Sequence, residues 1–156
     1  DDLPALGRLG DVELALGSLP GAFGHYRRCF EMSARLAEQD PANAAWQRDL
    51  SVSHDRIGDV LVAQGDLPGA LNAYRQMLAI STRLAERDPA NAEWQRDLVV
   101  SHLKLGDVSH RRGERGRARE SYERALRIAE RLTERDPSNA IWQRDIQFLR
   151  ARLADP

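Results

Sequence analysis

Cysteine is all but missing. Cys29 stands alone among 156 residues, so no internal disulfide can form and no cluster of thiolates can hold zinc. Residues suited to strands are also few: 7 Val, 5 Ile and 2 Thr make 14 in all, poor material for a sheet. No apolar run approaches the roughly 18 residues that span a bilayer, and no charged-then-apolar secretory leader is expected. Neither sign of charge is in surplus, since 23 Lys+Arg stand against 24 Asp+Glu for a net charge of −1. Binding to phosphate backbones needs a basic excess on some face, so this balance argues against nucleic acid as the main partner. What remains is a charged, mostly helical chain, expected in the cytoplasm and away from membranes. Lysine is nearly absent too, with one residue (Lys104) against 22 arginines, a weak pointer to a GC-rich bacterial genome.

What the chain does have is a repeat. Trp46, Trp94 and Trp142 are spaced 48 apart, and each opens the same phrase, Trp-Gln-Arg-Asp. Residues 46–93 laid over 94–141 agree at 24 of 48 positions, and residues 1–45 laid over 49–93 agree at 23 of 45. Self-similarity at a fixed period marks a repeat architecture. The array reads as one domain over 1–156, with a partial repeat at 1–41, full repeats at 42–89 and 90–137, and a partial repeat or capping helix at 138–156.

Each unit carries its own punctuation. Asp40-Pro41, Asp88-Pro89 and Asp136-Pro137 break the chain, and Asn43, Asn91 and Asn139 follow as N-caps. Apolar residues at helical spacing run on from there: Trp46, Leu50, Ile57 and Leu61, then Trp94, Leu98 and Leu105. Gly65 and Gly113 end these helices. Asp66 then caps a second helix with Pro68 in its first turn, carrying Ala70, Tyr74, Met77, Leu78 and Leu84. The unit is a hairpin of two helices, each roughly 20 residues long.

The small and aromatic columns resemble the tetratricopeptide repeat, whose pattern is Trp-x2-Leu-Gly-x2-Tyr, then Ala-x3-Phe, then Pro. Here the pattern reads His54-x2-Ile57-Gly58-x2-Leu61, Ala70-x3-Tyr74, Pro89, and again His102-x2-Leu105-Gly106-x2-Ser109, Ala118-x3-Tyr122, Pro137. A partial copy reads Leu6-x2-Leu9-Gly10, Ala22-x3-Tyr26, Pro41, and the glycine-to-alanine interval is 12 each time. The departure is length, 48 residues against about 34, which lengthens each helix by about two turns and keeps the apolar stripe nearly in phase. Armadillo and HEAT-like units come closer in length but lack the small-residue columns. The resemblance implies an all-α, right-handed α-solenoid of stacked hairpins whose first helices line a concave, peptide-binding groove.

Columns that stay constant solve a packing problem common to all units, whereas columns that change are free or put to local use. Tyr26, Tyr74 and Tyr122 belong to the first kind, as do Leu36, Leu84 and Leu132, and the tryptophans seat each hairpin on its predecessor. Asp11, Asp59 and Asp107 follow the glycines, with Arg8, Arg56 and Lys104 three residues earlier, where the pairs can meet on one helix face. They read either as a charged groove or as salt bridges joining neighbouring first helices. Three varying columns share the same face: Asp55 then Leu103, Val62 then His110, Ala63 then Arg111. The partner-binding groove is therefore drawn over Asp55, Arg56, Asp59, Val62, Leu103, Lys104, Asp107, His110 and Arg111. Arg111, Arg112, Arg115, Arg117 and Arg119 crowd one turn, countered by Glu114 and Glu120, and read as a solvated turn or as a basic patch for an acidic segment.

No reaction is legible. Ser53-His54, Ser101-His102 and Ser109-His110 are sequence neighbours that point different ways on a helix. His54 and His102 share a column, but packed helices stand too far apart for one metal to bridge them. Cys29 shares a column with Met77 and Ala125, the profile of a buried spacer. The expectation is a protein or peptide partner, with no enzyme activity, cofactor, metal or catalytic residue. A sensor or spacer arm regulating a catalytic domain elsewhere in a larger bacterial protein is the second reading. Self-association through open repeat ends is the third.

Overall fold

A computed structural model describes residues 2–155, and every element in it is an α-helix. The seven are α1 (Leu3–Ala15), α2 (Leu19–Gln39), α3 (Ala44–Ala63), α4 (Leu67–Arg87), α5 (Ala92–Arg111), α6 (Arg115–Arg135) and α7 (Ala140–Ala154). The architecture is all-α and repetitive, of the α-solenoid class. The chain forms two compact units whose boundary falls inside α4, between Ile80 and Ser81.

The helix ends follow from local chemistry. The Asn43 and Asn91 side chains accept the N–H of Trp46 and Trp94 at 3.1 and 3.0 Å, and Asn139 accepts those of Ile141 and Trp142. Each satisfies donors that a helix start leaves unpaired, an interaction worth about 1 kcal/mol. The first helices end on Gly17, Gly65 and Gly113 at φ 78°, 82° and 81°, left-handed values that suit a residue without Cβ. At Gly65, its own N–H reaches Val62 O and the Asp66 N–H reaches Leu61 O, the paired bonds of a Schellman stop. Asp66 then caps α4 by accepting the Gly69 N–H at 2.9 Å.

In the unit that runs to Ile80, Ala22, Tyr26 and Val60 form a core, with Leu14, Phe23 and Ile57 packed against it. The apolar stripe of α3 is only half-buried at Trp46, Leu50, Ile57 and Leu61. The buried residues of α3 are Ser51, Ser53, Gly58 and Val60, because α3 packs between α2 and α4 and only small or compact residues fit closest to a neighbour. Ser53 meets Ser33 of α2 at 3.3 Å, and the Ser51 hydroxyl donates to Met77 O of α4 at 3.5 Å. The Cys29 thiol is fully buried, faces Leu3 O at 3.7 Å, and is pushed up in pKa by burial. Its column mates Met77 and Ala125 are buried as well, so the spacer reading holds.

In the unit that begins at Ser81, Val99, Tyr122, Ala125, Ile128, Ala129, Leu132, Ile146 and Leu149 pack together, with Trp142 against them. Ser101 donates to Ser81 at 3.1 Å. The tyrosines at 26, 74 and 122 are all buried. Leu84 and Leu132 are core as expected, but Leu36 is only half-buried.

Candidate functional site

The constant columns of the first helices are occupied with holding the hairpins. The Tyr26 hydroxyl donates to Asp11 Oδ1 at 2.6 Å, Tyr74 to Asp59 at 2.5 Å, and Tyr122 to Asp107 at 2.6 Å. The tyrosine ring can reach across because the preceding residue is glycine. A Cβ at Gly10, Gly58 or Gly106 would overlap the ring of Tyr26, Tyr74 or Tyr122 respectively. Burial and the bonded carboxylate push the Tyr26 and Tyr122 hydroxyls well above the usual phenol range.

Asp11 and Asp107 are reached by arginines from beyond their own helix. Asp11 is met by Arg56 of α3 at 3.3 Å rather than by Arg8. Asp107 receives Arg152 of α7 through two bonds, at 2.7 and 3.1 Å. In both cases the arginine lies 45 residues on, in the next first helix of the same unit. A Tyr–Asp–Arg clip therefore joins three helices, and the bond to Asp107 raises the pKa of Arg152. Of the two readings of this ladder, salt bridges between neighbouring first helices describe Asp11 and Asp107. The constant intervals of 15 from Asp to Tyr and 45 from Asp to Arg were in the sequence and would have located both partners.

The Trp-Gln-Arg-Asp phrase is structural in the same way. The Arg96 guanidinium of α5 donates to both oxygens of Asp145 of α7 at 3.1 and 3.4 Å, and Asp145 is buried. Gln47, Gln95 and Gln143 donate their amides to the backbone oxygens of Pro41, Ala85 and Pro137. The histidine column is packed too. The His54 ring meets Phe30 edge-on at 5.1 Å, and burial lowers its pKa. Burial, aided by Arg124 and Arg127, pushes the pKa of His102 down to about 4. Ser53 is engaged with Ser33 and His54 with Phe30, so the two do not act together. Among the described residues no group of three or more His, Cys, Asp or Glu side chains could hold a metal. No described helix is long and apolar enough to cross a membrane.

The varying columns are placed as follows. On α3, Asp55, Arg56, Asp59 and Val62 are half-buried and Ala63 is exposed. On α5, Leu103, Lys104 and Asp107 are half-buried, whereas His110 and Arg111 are exposed. Leu103 packs against the core of its unit, so it contributes to the fold as well as to the face. In the arginine-rich turn, Glu114 takes Arg112 at 3.0 Å and Arg117 at 3.4 Å, and Glu120 takes Arg124 at 2.7 Å. Arg119 pairs with Glu123 at 3.1 Å. Sequence reasoning passed over a pocket of about 110 Å3 in this unit, lined by His110, Arg115, Ala118, Arg119, Tyr122, Arg152, Leu153 and Asp155.

Residues 55–91 and 101–136 each match a family model described as tetratricopeptide repeat. Comparison with curated proteins finds no match. Among solved structures, a crystal structure of MamA protein aligns at 15% identity over 97% of this chain and 90% of that one, with a TM-score of 0.37. A de novo designed helical repeat protein aligns at 16% identity over 97% and 73%, with a TM-score of 0.35.

Proposed function

We propose, from the two tetratricopeptide repeats matched at residues 55–91 and 101–136, that the first helices of this chain receive a segment of a partner protein. Tetratricopeptide repeats support a protein-interaction scaffold in general; the finer reading concerns which residues recognise the partner. The observation that carries it is the division of labour on one helix. The constant Asp107 and Gly106 of α5 are taken up by Tyr122 and Arg152, while His110 and Arg111 of the same helix are exposed. Within the unit that begins at Ser81, the partner segment is therefore read by Leu103, His110 and Arg111 on α5, with Lys104 and Asp107 beside them. Within the other unit, the corresponding columns of α3 are Asp55, Arg56, Asp59 and Val62. Recognition is by a preorganised surface, with affinity from apolar contacts and selectivity from the varying charges. No catalytic step and no cofactor enters this reading.

The test is titration of variants against the partner recovered by the intact array. Arg111→Glu is expected to slow association, and to do so less at high salt. Leu103→Ala is expected to weaken binding by about 2 kcal/mol if it anchors the partner; its melting curve must be measured alongside because the side chain also packs on the core. Arg75→Glu and Arg124→Glu, on the second helices, should bind as the parent does. Loss of binding in these two, with Arg111→Glu unaffected, would place recognition on the second helices instead.

A further inference from the structure

The pocket at the turn between α5 and α6 stands out when the hairpins are compared with one another. Three of its lining positions are His110, Arg115 and Arg119. The residues 48 earlier are Val62, Leu67 and Leu71, and 96 earlier they are Leu14, Leu19 and Phe23. In the first hairpin Leu14 and Phe23 pack on the core around Tyr26, and in the second Leu71 is buried. Three columns that are apolar in two hairpins thus change together to cationic or ionisable residues in the third, while Ala118 and Tyr122 beneath them stay constant. A single arginine in this composition would mean little. The joint change, at a turn where a pocket opens, is the informative observation.

We propose that this pocket is a binding site for a phosphoryl group. Arg115 and Arg119 of α6 and Arg152 of α7 line it, with His110 beside them, and Arg152 keeps further N–H groups beyond the two that hold Asp107. Such a fan of donors suits a tetrahedral dianion, which accepts bonds from several directions. The acidic groups around it are accounted for. Asp107 is held by Arg152 and Tyr122, and Glu114 by Arg112 and Arg117. Glu123 meets Arg119 in an exposed pair, the kind that exchanges at little cost. Asp155 is the one carboxylate in the lining, against three arginines. The volume, about 110 Å3, is several times what a water needs and well below the roughly 300–1,000 Å3 of cofactor sites. It therefore suits one phosphoryl group rather than a nucleotide. Only the step from free phosphate to a phosphorylated partner segment rests on the scaffold reading.

The experiment uses the full chain and inorganic phosphate, so its outcome is independent of whether a protein partner is found. Thermal unfolding is followed at constant ionic strength while chloride is replaced by phosphate or by acetate. The expected result is a saturable rise in midpoint with phosphate, with apparent affinity roughly tenfold or more above that for acetate. The triple variant His110→Val, Arg115→Leu, Arg119→Leu restores the residues of the preceding hairpin and so should fold. It is expected to bind phosphate at least roughly tenfold more weakly. Arg115→Gln, at an exposed position, serves the same purpose if the triple variant is misfolded. Equal stabilisation of parent and variants would reveal a general salt effect and overturn the proposal. A response to acetate matching that to phosphate would also overturn it, assigning the pocket to carboxylates.

Discussion

Glycine and tyrosine act as one fitting at the residue scale. Gly58 lets the Tyr74 ring lie against α3 so that its hydroxyl meets Asp59. Gly58→Val would drive a branched side chain into that ring, and overpacking of this kind costs about 1–3 kcal/mol. The expected outcome is a lower urea midpoint with an unchanged m-value, since the unfolded surface is the same. An unchanged midpoint would show that the ring can move aside at no cost. The sequence announced the glycine and tyrosine columns plainly but left the partner of the aspartate obscure. Arg8 and Lys104 lie one helical turn before Asp11 and Asp107, which makes them the natural guess. Once hairpins pack side by side, however, the next first helix brings Arg56 and Arg152 closer. Proximity along the chain is a weak guide when an equally long side chain stands on a neighbouring helix.

Among the elements, α5 carries the clearest consequence for pH. His102 is buried beside Arg124 and Arg127, and its pKa falls from 6.5 to about 4. A histidine depressed in the fold is neutral there, while the unfolded chain takes up its proton below about pH 6.5. The unfolded state then binds more protons, so stability is lost as pH falls between about 6.5 and 4. The contribution is on the order of 3 kcal/mol. His102→Phe should flatten that part of the stability curve as measured by urea unfolding; an unchanged slope would assign the acid sensitivity to other groups. The helices themselves were largely legible. Asparagine caps, glycine stops and Asp-Pro breaks all act at short range, and a sequence records short-range effects well. Burial was less so: α3 places its serines and glycine deepest, because closeness of packing, not apolarity, selects the residue there. Leu103 likewise read as a face residue but packs on a core.

At the scale of the whole molecule, contacts within each unit run between neighbouring helices, which makes stability a sum of local terms. Trp142 of α7 packs on the core of the unit that begins at Ser81. Trp142→Ala should therefore reduce amide exchange protection in α5–α7 before it does so in α1–α3. Equal loss throughout would mean that the chain opens as one body. The arginine turn shows where column comparison reaches further than motif reading. A cluster of five arginines reads as solvated surface when taken alone, and only the apolar residues 48 positions earlier mark Arg115 and Arg119 as a replacement of apolar side chains by charge.

The buried serines carry an implication for how such a gene can change. Ser33 faces Ser53, and Ser81 faces Ser101, but one period later the same two columns hold Ala129 and Leu149, both buried in one core. A hydroxyl pair has been exchanged for an apolar pair, which is tolerated only when both members change together. DNA encoding repeated units of one length can recombine unequally, and loss of one 48-residue unit there would join α4 directly to α7. Leu149 would then be pressed against Ser81, crowding the contact and stripping the hydroxyl of its partner. The mismatched pair acts as a lock on hairpin order, so duplications and deletions are tolerated between the serine-bearing units and selected against at the last one.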